Sequence, residues 1–175
     1  DSLGSVYPGA QETLADGVDQ DCDGGDICYV DADGDGFRDV SGATLVSSDL
    51  DCNDVGEDDG GGSTDCDDSA SNVYPGATEV VDNGIDEDCD GGDTCYVDLD
   101  DDGYREMTGG LVESMDLDCA DPGEGAATEP ATDCNDNDLS INPGMLEQPS
   151  DGLDSNCDGA EACYTDYDND GFRAM

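Results

Sequence analysis

The chain has no His, no Lys and no Trp, and its only cations are three Arg. Without His or Lys, and with no nucleophile beside a base, it lacks the usual groups for acid–base or covalent catalysis, so we expect no enzymatic activity. Because 49 residues are acidic, we also expect no nucleic-acid partner. The absence of His removes a preferred ligand of zinc and copper.

Large apolar residues are scarce as well, since Leu, Ile, Val and Phe together number 26 of 175 residues. No apolar run reaches the length of a membrane-spanning helix. Low apolar content with a formal net charge of −46 is typical of a disordered chain. No signal peptide is visible, and we expect the chain to be an excerpt of a longer exported array.

Ten Cys and a regular spacing of the acidic residues oppose disorder. An even number of Cys at repeating spacings is typical of a disulfide framework in an oxidising compartment, so we expect an extracellular or cell-surface location. The Asp residues recur at every second position and stop at Gly, unlike a featureless acidic tail. These patterns predict a chain that folds when it is cross-linked and loaded with metal.

The cysteines also reveal a tandem repeat of about 68 residues. Cys22, Cys89 and Cys157 are 67 and 68 residues apart, and the sequences DCDGGDICYVDADGDGFRD, DCDGGDTCYVDLDDDGYRE and NCDGAEACYTDYDNDGFRA follow one another in register. We divide the chain into the end of a preceding repeat, two full repeats and the start of a third: residues 1–20, 21–87, 88–155 and 156–175.

The predicted fold is a small disulfide- and metal-stabilised repeat array, mostly loops with short β-strands and hairpins and very little helix. The segments 28–31 and 44–52 have the β-branched and apolar residues of short strands, and one helical turn is predicted at 67–73. The segments 55–64 and 122–132, where the copies differ in length, are predicted to be exposed, variable loops.

The stretch CYVDADGDGFRD has the spacing of a calcium loop. Asp31, Asp33 and Asp35 occupy positions 1, 3 and 5, Phe37 offers a carbonyl from position 7, and Asp39 stands at position 9. Oxygen ligands select a hard cation, and calcium accepts a flexible shell of them, so we expect several Ca²⁺ ions per repeat. The second and third copies contain Asp98, Asp100, Asp102, Tyr104 and Glu106, then Asp166, Asp168 and Asp170.

Position 12 of this loop is Gly42 in the first copy and Gly109 in the second, so the usual closing Glu is absent. We expect a distant segment, folded back across a hairpin, to complete the shell. The predicted closing residues are Asp49, Asp51 and Asp54, matched by Asp116, Asp118 and Asp121.

Two further half-loops contain the same alternation of acidic residues, and the Glu of PGATE could close one of them. Any single Asp could instead only cap a turn, whereas so many unneutralised like charges would repel one another. The first half-loop has Asp19, Asp21 and Asp23, then Asp86, Asp88 and Asp90, then Asp154, Asn156 and Asp158. The second has Asp65, Asp67 and Asp68, then Asp133, Asn135 and Asp136. The Glu residues are Glu12, Glu79 and Glu147.

Each of the three Arg follows the same D-G-aromatic triplet. A shared repeat position favours a structural role, in which each guanidinium of Arg38, Arg105 and Arg173 forks onto a carboxylate. A ligand-binding Arg is the alternative.

Sequence alone does not fix the disulfide pairing. One scheme leaves no Cys unpaired, whereas a bond between Cys28 and Cys52 would strand Cys22 and Cys163. The complete scheme pairs Cys22 with Cys28, Cys52 with Cys66, Cys89 with Cys95, Cys119 with Cys134, and Cys157 with Cys163.

The blocks DCDDSASNVYPGATEVVDNGIDEDCDGGD and CYVDADGDGF resemble the bacterial MopE-type metal-binding motif repeat, and more distantly thrombospondin type 3 and dockerin calcium loops. The resemblance implies an extracellular, calcium-binding, disulfide-linked module without catalytic activity. This chain has Val81 where the family has a Cys, from which we infer that Cys95 is the partner of Cys89. The His and modified Trp of the family's copper site are absent, so copper binding is not expected.

Three functions fit these patterns. The first is a calcium-binding, disulfide-linked structural array that self-associates into a rigid stalk, fibre or filament outside the cell. The second is a spacer of a calcium-dependent surface adhesin, and the third is a metal-storing or mineral-organising polyanion. Close similarity between the repeats favours the first over the third, since a polyanion needs no defined fold.

Overall fold

The computed structural model describes residues 4–171 of the chain, and within that range it contains eight short strands and no helix. The predicted fold class, a loop-rich and disulfide-stabilised repeat chain with short strands, is confirmed. The described residues also offer no helix long and apolar enough to cross a membrane. The strands are β1 (Ile27–Val30), β2 (Arg38–Asp39), β3 (Thr44–Val46), β4 (Glu57–Asp58), β5 (Thr64–Asp65), β6 (Thr94–Asp98), β7 (Leu111–Glu113) and β8 (Gly123–Gly125).

The described residues fall into two compact units, 4–79 with 86–91 and 80–85 with 92–171. In the first unit, β1 is the central strand of an antiparallel sheet with β3 and β4 on either side, and β2 pairs with β5 in parallel. In the second unit, β6 is central between β7 and β8, and a parallel bridge between Glu106 and Asp133 replaces the β2–β5 pair. The repeat boundaries themselves stay a prediction.

The long segments between the third and fourth Cys of each repeat are predicted to be exposed loops, but in the structure they also form strands. The first contributes β4 and β5, with Asp58 buried, and the second contributes β8, with Gly125 buried. Strand pairing to β1 and β6 uses backbone groups, so it requires no apolar pattern that the sequence would reveal. The helical turn predicted at 67–73 is also wrong, since successive reverse turns occupy that segment.

Each unit has a disulfide at its centre rather than an apolar core. Cys28 and Cys95 are completely buried, and they bond Cys52 and Cys119 across the hairpin, with Cα atoms 5.5 Å apart in both cases. Val73 is the only other buried apolar residue among those described. Most of the buried residues are polar or acidic, so the interior requires partners for charge.

The predicted disulfide scheme, including the inferred bond of Cys95 to Cys89, is wrong. Cys66 bonds Cys89, and Cys134 bonds Cys157, which leaves Cys22 and Cys163 as exposed free thiols. The scheme assumed that every Cys pairs within this chain. The hairpin instead brings together cysteines 24 residues apart, and the next bond joins the fourth Cys of one repeat to the first Cys of the following repeat.

The described arginines have a structural role, although their partners differ from the prediction. Arg38 lies over the ring of Tyr29, with Cζ 4.4 Å from the centroid, and donates from Nη1 to the carbonyl of Gly60 at 3.2 Å. Arg105 repeats the arrangement over Tyr96 at 3.8 Å and donates to carbonyls of the segment after β8. The guanidinium thus fastens the long segment to the central strand through a ring and backbone oxygens rather than a carboxylate fork.

Candidate metal centres

The first kind of candidate site, here called the glutamate loop, is built from the Glu of the PGATE-like block and the acidic half-loop that follows it. In the first copy, Asp19 accepts hydrogen bonds from the backbone N–H of Asp23 and Gly24, both at 3.1 Å, which curls the chain into a tight turn. Glu12 reaches back from outside the turn, and its Oε1 accepts the N–H of Asp21 at 2.7 Å. One oxygen each of Glu12, Asp19 and Asp21 then lie within 4.8 Å of one another.

The glutamate loop recurs with the same hydrogen bonds in all three copies. Glu79 accepts the N–H of Asp88 at 2.8 Å, and Glu147 accepts the N–H of Asn156 at 3.0 Å. Asp86 and Asp154 curl their turns as Asp19 does. In every copy the second oxygen of the Glu, Oε2, is buried and has no hydrogen-bond partner. A buried carboxylate oxygen without a donor is unfavourable unless a cation lies beside it.

The second kind of candidate site, here called the ladder site, begins with the calcium-type loop after β1. Asp31 is buried and accepts the N–H of Gly34 at 2.7 Å and of Gly36 at 3.0 Å, so its carboxylate closes the loop. Gly36 has a φ of +93°, which the tight turn requires and which a side chain would disfavour. The loop forms in the third copy too, where Asp166 accepts the N–H of Asn169 and Gly171, both at 2.9 Å. Arg173, just beyond it, lies outside the described residues.

The segment that completes the ladder site is the half-loop at the fourth Cys. The parallel pairing of β2 with β5 places Asp65 against the loop, and Asp68 accepts the N–H of Ala32 at 2.8 Å. Oxygens of Asp31, Asp33 and Asp68 lie within 4.8 Å of one another, and so do oxygens of Asp33, Asp35 and Asp65. Two half-loops that the sequence suggested as separate features therefore form one site.

The ladder site has several carboxylate oxygens that nothing in the protein satisfies. Oδ2 of Asp33, Asp35 and Asp65 is buried and without a hydrogen-bond partner. Burial raises the pKa of Asp65 and of Asp35 above the ordinary value, and the charge of Asp33 adds to both effects. The shift identifies a group of like charges that the protein alone does not neutralise.

The second unit repeats the ladder site with Asp98, Asp100, Asp102, Asp133 and Asp136. Both oxygens of Asp100, and Oδ2 of Asp133, are buried without a partner. Burial, with the charges of Asp102, Asp133, Asp98 and Asp136, raises the pKa of Asp100 to about 6.

The six predicted closing residues are all exposed, and two of them line the candidate sites. Asp54 lines the concavity beside Asp31 and Asp33, as Asp121 lines the one beside Asp98. Asp49 and Asp51 are exposed, and each accepts the N–H of the residue two positions on, at 3.1 and 3.2 Å. Their counterparts Asp116 and Asp118 are exposed as well.

Three other predicted ligands contact neighbours in the protein. The ring of Phe37 stacks on Tyr74 at 5.3 Å, and Asp39 caps a turn in which the N–H and hydroxyl of Ser41 lower the pKa of its carboxyl. Burial raises the pKa of Asp136, and the charge of Glu106 adds to this effect after those of Asp98 and Asp133.

Sequence reasoning missed one pair of acidic residues. Glu57 and Glu124 line the same concavities as Asp54 and Asp121, and Oε2 of both Glu residues is buried without a partner. A signal was present, because each Glu follows the third Cys of its repeat by five residues and stands directly after a Gly. The segments that follow each third Cys differ in length between the copies, so the constant spacing at their start was not recognised.

Two other acidic groups involve sulfur but do not fit a metal. Asp65 lies with Cys66 and Cys89, and Asp133 lies with Cys134 and Cys157. These cysteines are joined in disulfides and cannot present a thiolate. The candidate sites therefore consist of oxygen ligands.

The fold and these sites define a disulfide-stabilised, metal-binding repeat protein. The family model Cu-binding MopE, described as "Putative metal-binding motif", matches residues 1–26, 65–94 and 133–162. The motif of that family therefore recurs three times along the chain, as a tandem repeat. No curated protein and no solved structure matches the chain. The matched segments contain the glutamate loops and the half-loops at the fourth Cys, whereas the first two calcium-type loops lie between these segments and the third lies after the last of them.

The raised pKa of Asp100 predicts that cation binding depends on pH. Protons and a cation compete for this carboxylate, so at pH 5, a unit below its pKa of about 6, affinity at the second ladder site should fall about tenfold from its value at pH 7.5. Without a cation, the stability of the fold should change with pH in the opposite direction to the affinity. Because the pKa of Asp100 is raised in the folded state, its contribution to stability increases as pH falls through about 6.

Calorimetric titration with calcium at both pH values checks this dependence. Proton release on binding should accompany the change in affinity. Equal affinities with no proton release would contradict the prediction. The exposed cap Asp138, whose pKa its hydrogen bonds with Ser140 lower, should not contribute in this range.

Proposed function

We propose that the chain is an extracellular calcium-binding structural array, without enzymatic activity, in which cations and disulfides replace an apolar core. The observation that carries this proposal is the recurrence, in register, of buried carboxylate oxygens without partners: Glu12, Glu79 and Glu147 in the glutamate loops, and Asp33 and Asp100 in the ladder sites. A polyanion that only attracts ions at its surface has no need of buried carboxylates.

Calcium is the favoured metal because of the ligands and their geometry. Every candidate ligand is an oxygen, and loops that close through backbone N–H groups leave the remaining oxygens free to coordinate a hard cation. Copper, to which the family name refers, is bound best by imidazole or sulfur, and this chain has no His. Magnesium prefers to retain water and an octahedral shell, which suits a crowded carboxylate cluster less well.

The disulfides support an extracellular and structural role. Four bonds close loops of similar length at equivalent positions, and such bonds persist in oxidising compartments. Each repeat is thereby fixed with little apolar burial, so many copies can be joined in a stiff array. We propose that the array self-associates into a stalk, fibre or filament.

Calorimetry and electron microscopy together test this proposal. We expect calcium to bind with dissociation constants of about 10⁻⁴ to 10⁻³ M, the range of extracellular modules, and more tightly than magnesium. Electron micrographs of the purified protein should show ordered filaments with calcium and none after addition of EGTA. Preferential copper binding would overturn the assignment of the metal, and dispersed particles in calcium would overturn the proposed assembly.

A further inference from the structure

The ladder site has more unsatisfied oxygens than one cation requires. In the first unit, Asp33 belongs to two groups of close carboxylates, one with Asp31 and Asp68 and the other with Asp35 and Asp65. The two groups have no other member in common. Asp33 therefore lies between two positions at which three carboxylates converge.

We propose that each ladder site holds two divalent cations, bridged by the carboxylate of Asp33 in the first unit and of Asp100 in the second. This inference rests on the proposed calcium function and specifies how the ions are arranged. One cation lies among Asp31, Asp33 and Asp68, and the other lies among Asp33, Asp35 and Asp65.

Buried side chains directed into the cluster point to these ions independently of the acidic composition. Asp65 is only 1% exposed, yet its Oδ2 has no hydrogen-bond partner. In the second unit, Asp133 is only 2% exposed, and its Oδ2 has no hydrogen-bond partner either. Burying these atoms without a compensating cation would be strongly unfavourable.

The bridging residue differs from the other ligands in how few hydrogen bonds its carboxylate oxygens accept. Both oxygens of Asp100 are buried without a partner, so one is available to each ion. In the first unit, Oδ2 of Asp33 is similarly free, and Oδ1 accepts only a long hydrogen bond of 3.3 Å from the N–H of Asp35. By contrast, Asp31 has both oxygens engaged with backbone N–H groups and is the fixed end of the loop.

Charge balance favours two ions over one. Five carboxylates converge in the second unit, at Asp98, Asp100, Asp102, Asp133 and Asp136. One divalent ion would leave most of that charge uncompensated in a poorly solvated site, whereas two nearly neutralise it. Carboxylates with two oxygens can serve both ions at once, as each calcium needs six to eight oxygen ligands.

Native mass spectrometry of the calcium-loaded chain counts the ions and tests the bridge. The Asp33→Ala variant should lose two calcium ions relative to the unaltered chain, because both positions depend on this residue. Asp35→Ala and Asp68→Ala should each lose one. Asp151→Asn, an exposed turn residue whose Oδ1 accepts the N–H of Leu153, is the control and should lose none.

A second measurement needs no variant and therefore does not depend on whether Asp33→Ala folds. Anomalous scattering from crystals of the calcium-loaded chain should show two peaks at each ladder site, one on either side of Asp33 or Asp100. A single peak, or the loss of only one ion in Asp33→Ala, would overturn the bridged pair while leaving calcium binding intact. A chain that binds no calcium at all would instead overturn the proposed function.

Discussion

Removal of calcium with EGTA is expected to unfold the chain. The buried apolar residues among those described are four disulfide-bonded Cys and Val73, so apolar burial provides little of the stability. The formal charge is −46, and buried carboxylates such as Asp65 and Asp133 would each lie among the other carboxylates of their own ladder site without a counter-ion. Because cation binding to such sites is coupled to folding, loss of the ions removes the main stabilising term.

Circular dichroism and small-angle X-ray scattering check this expectation. The strand signal should be lost on chelation, and the radius of gyration should increase within the limits that the disulfides set. Restoring calcium should reverse both changes. An unchanged spectrum and radius after chelation would contradict the role of calcium in the fold.

Sodium chloride provides a matched control for the chelation experiment. At 1 M salt the Debye length is only about 3 Å, so repulsion between exposed carboxylates is screened. If the ions occupy defined sites, high salt should not restore the spectrum of the chelated chain. Full recovery in salt alone would mean that general screening, not site binding, maintains the fold.

Removing the Cys28–Cys52 disulfide is the second change with a large expected effect. The bond has a sequence separation of 24 residues, and the chain-entropy model assigns such a loop about 3 kcal/mol. Both cysteines are also buried, Cys28 in the central strand β1, so the paired Cys28→Ala and Cys52→Ala substitution leaves a cavity as well. We expect the double variant to unfold at much lower denaturant concentration in saturating calcium.

The free thiols supply the control for this variant. Cys22→Ser should leave the denaturation midpoint almost unchanged, because Cys22 is exposed and unbonded. Under the alternative pairing of Cys22 with Cys28, the same substitution would remove a disulfide and destabilise the chain strongly. Peptide mapping without reduction should recover Cys28 joined to Cys52, and a peptide joining Cys22 to Cys28 would contradict the structure.

The acidic loops were predictable from sequence because their geometry is local. Alternating carboxylates followed by Gly fix the turn at Asp31, and the three copies in register exclude coincidence. The segment that completes the ladder was not predictable, since Asp65 reaches the loop through the parallel pairing of β2 with β5. Two-residue strands such as these have no hydrophobic alternation to reveal them.

The disulfide pairing could not be predicted from the sequence for a different reason. Pairing by elimination requires that every Cys form a bond within the chain, whereas Cys22 and Cys163 are unbonded. The equivalent cysteines of the middle repeat show the direction of each bond. Cys89, the equivalent of Cys22, bonds the earlier Cys66, and Cys95, the equivalent of Cys163, bonds the later Cys119. Only the three-dimensional hairpin distinguishes the two directions.

The spacing of the four disulfides also determines how the chain would respond to a pulling force. Between Cys28 and Cys52 an unlinked segment could stretch to about 80 Å, whereas the bond holds the two Cα atoms 5.5 Å apart. The other three bonds shorten their segments in the same way, so between Cys28 and Cys157 only residues 53–65, 90–94 and 120–133 are free to extend. Under tension the array would therefore extend much less than an unlinked chain of the same length, even if a cation site opened.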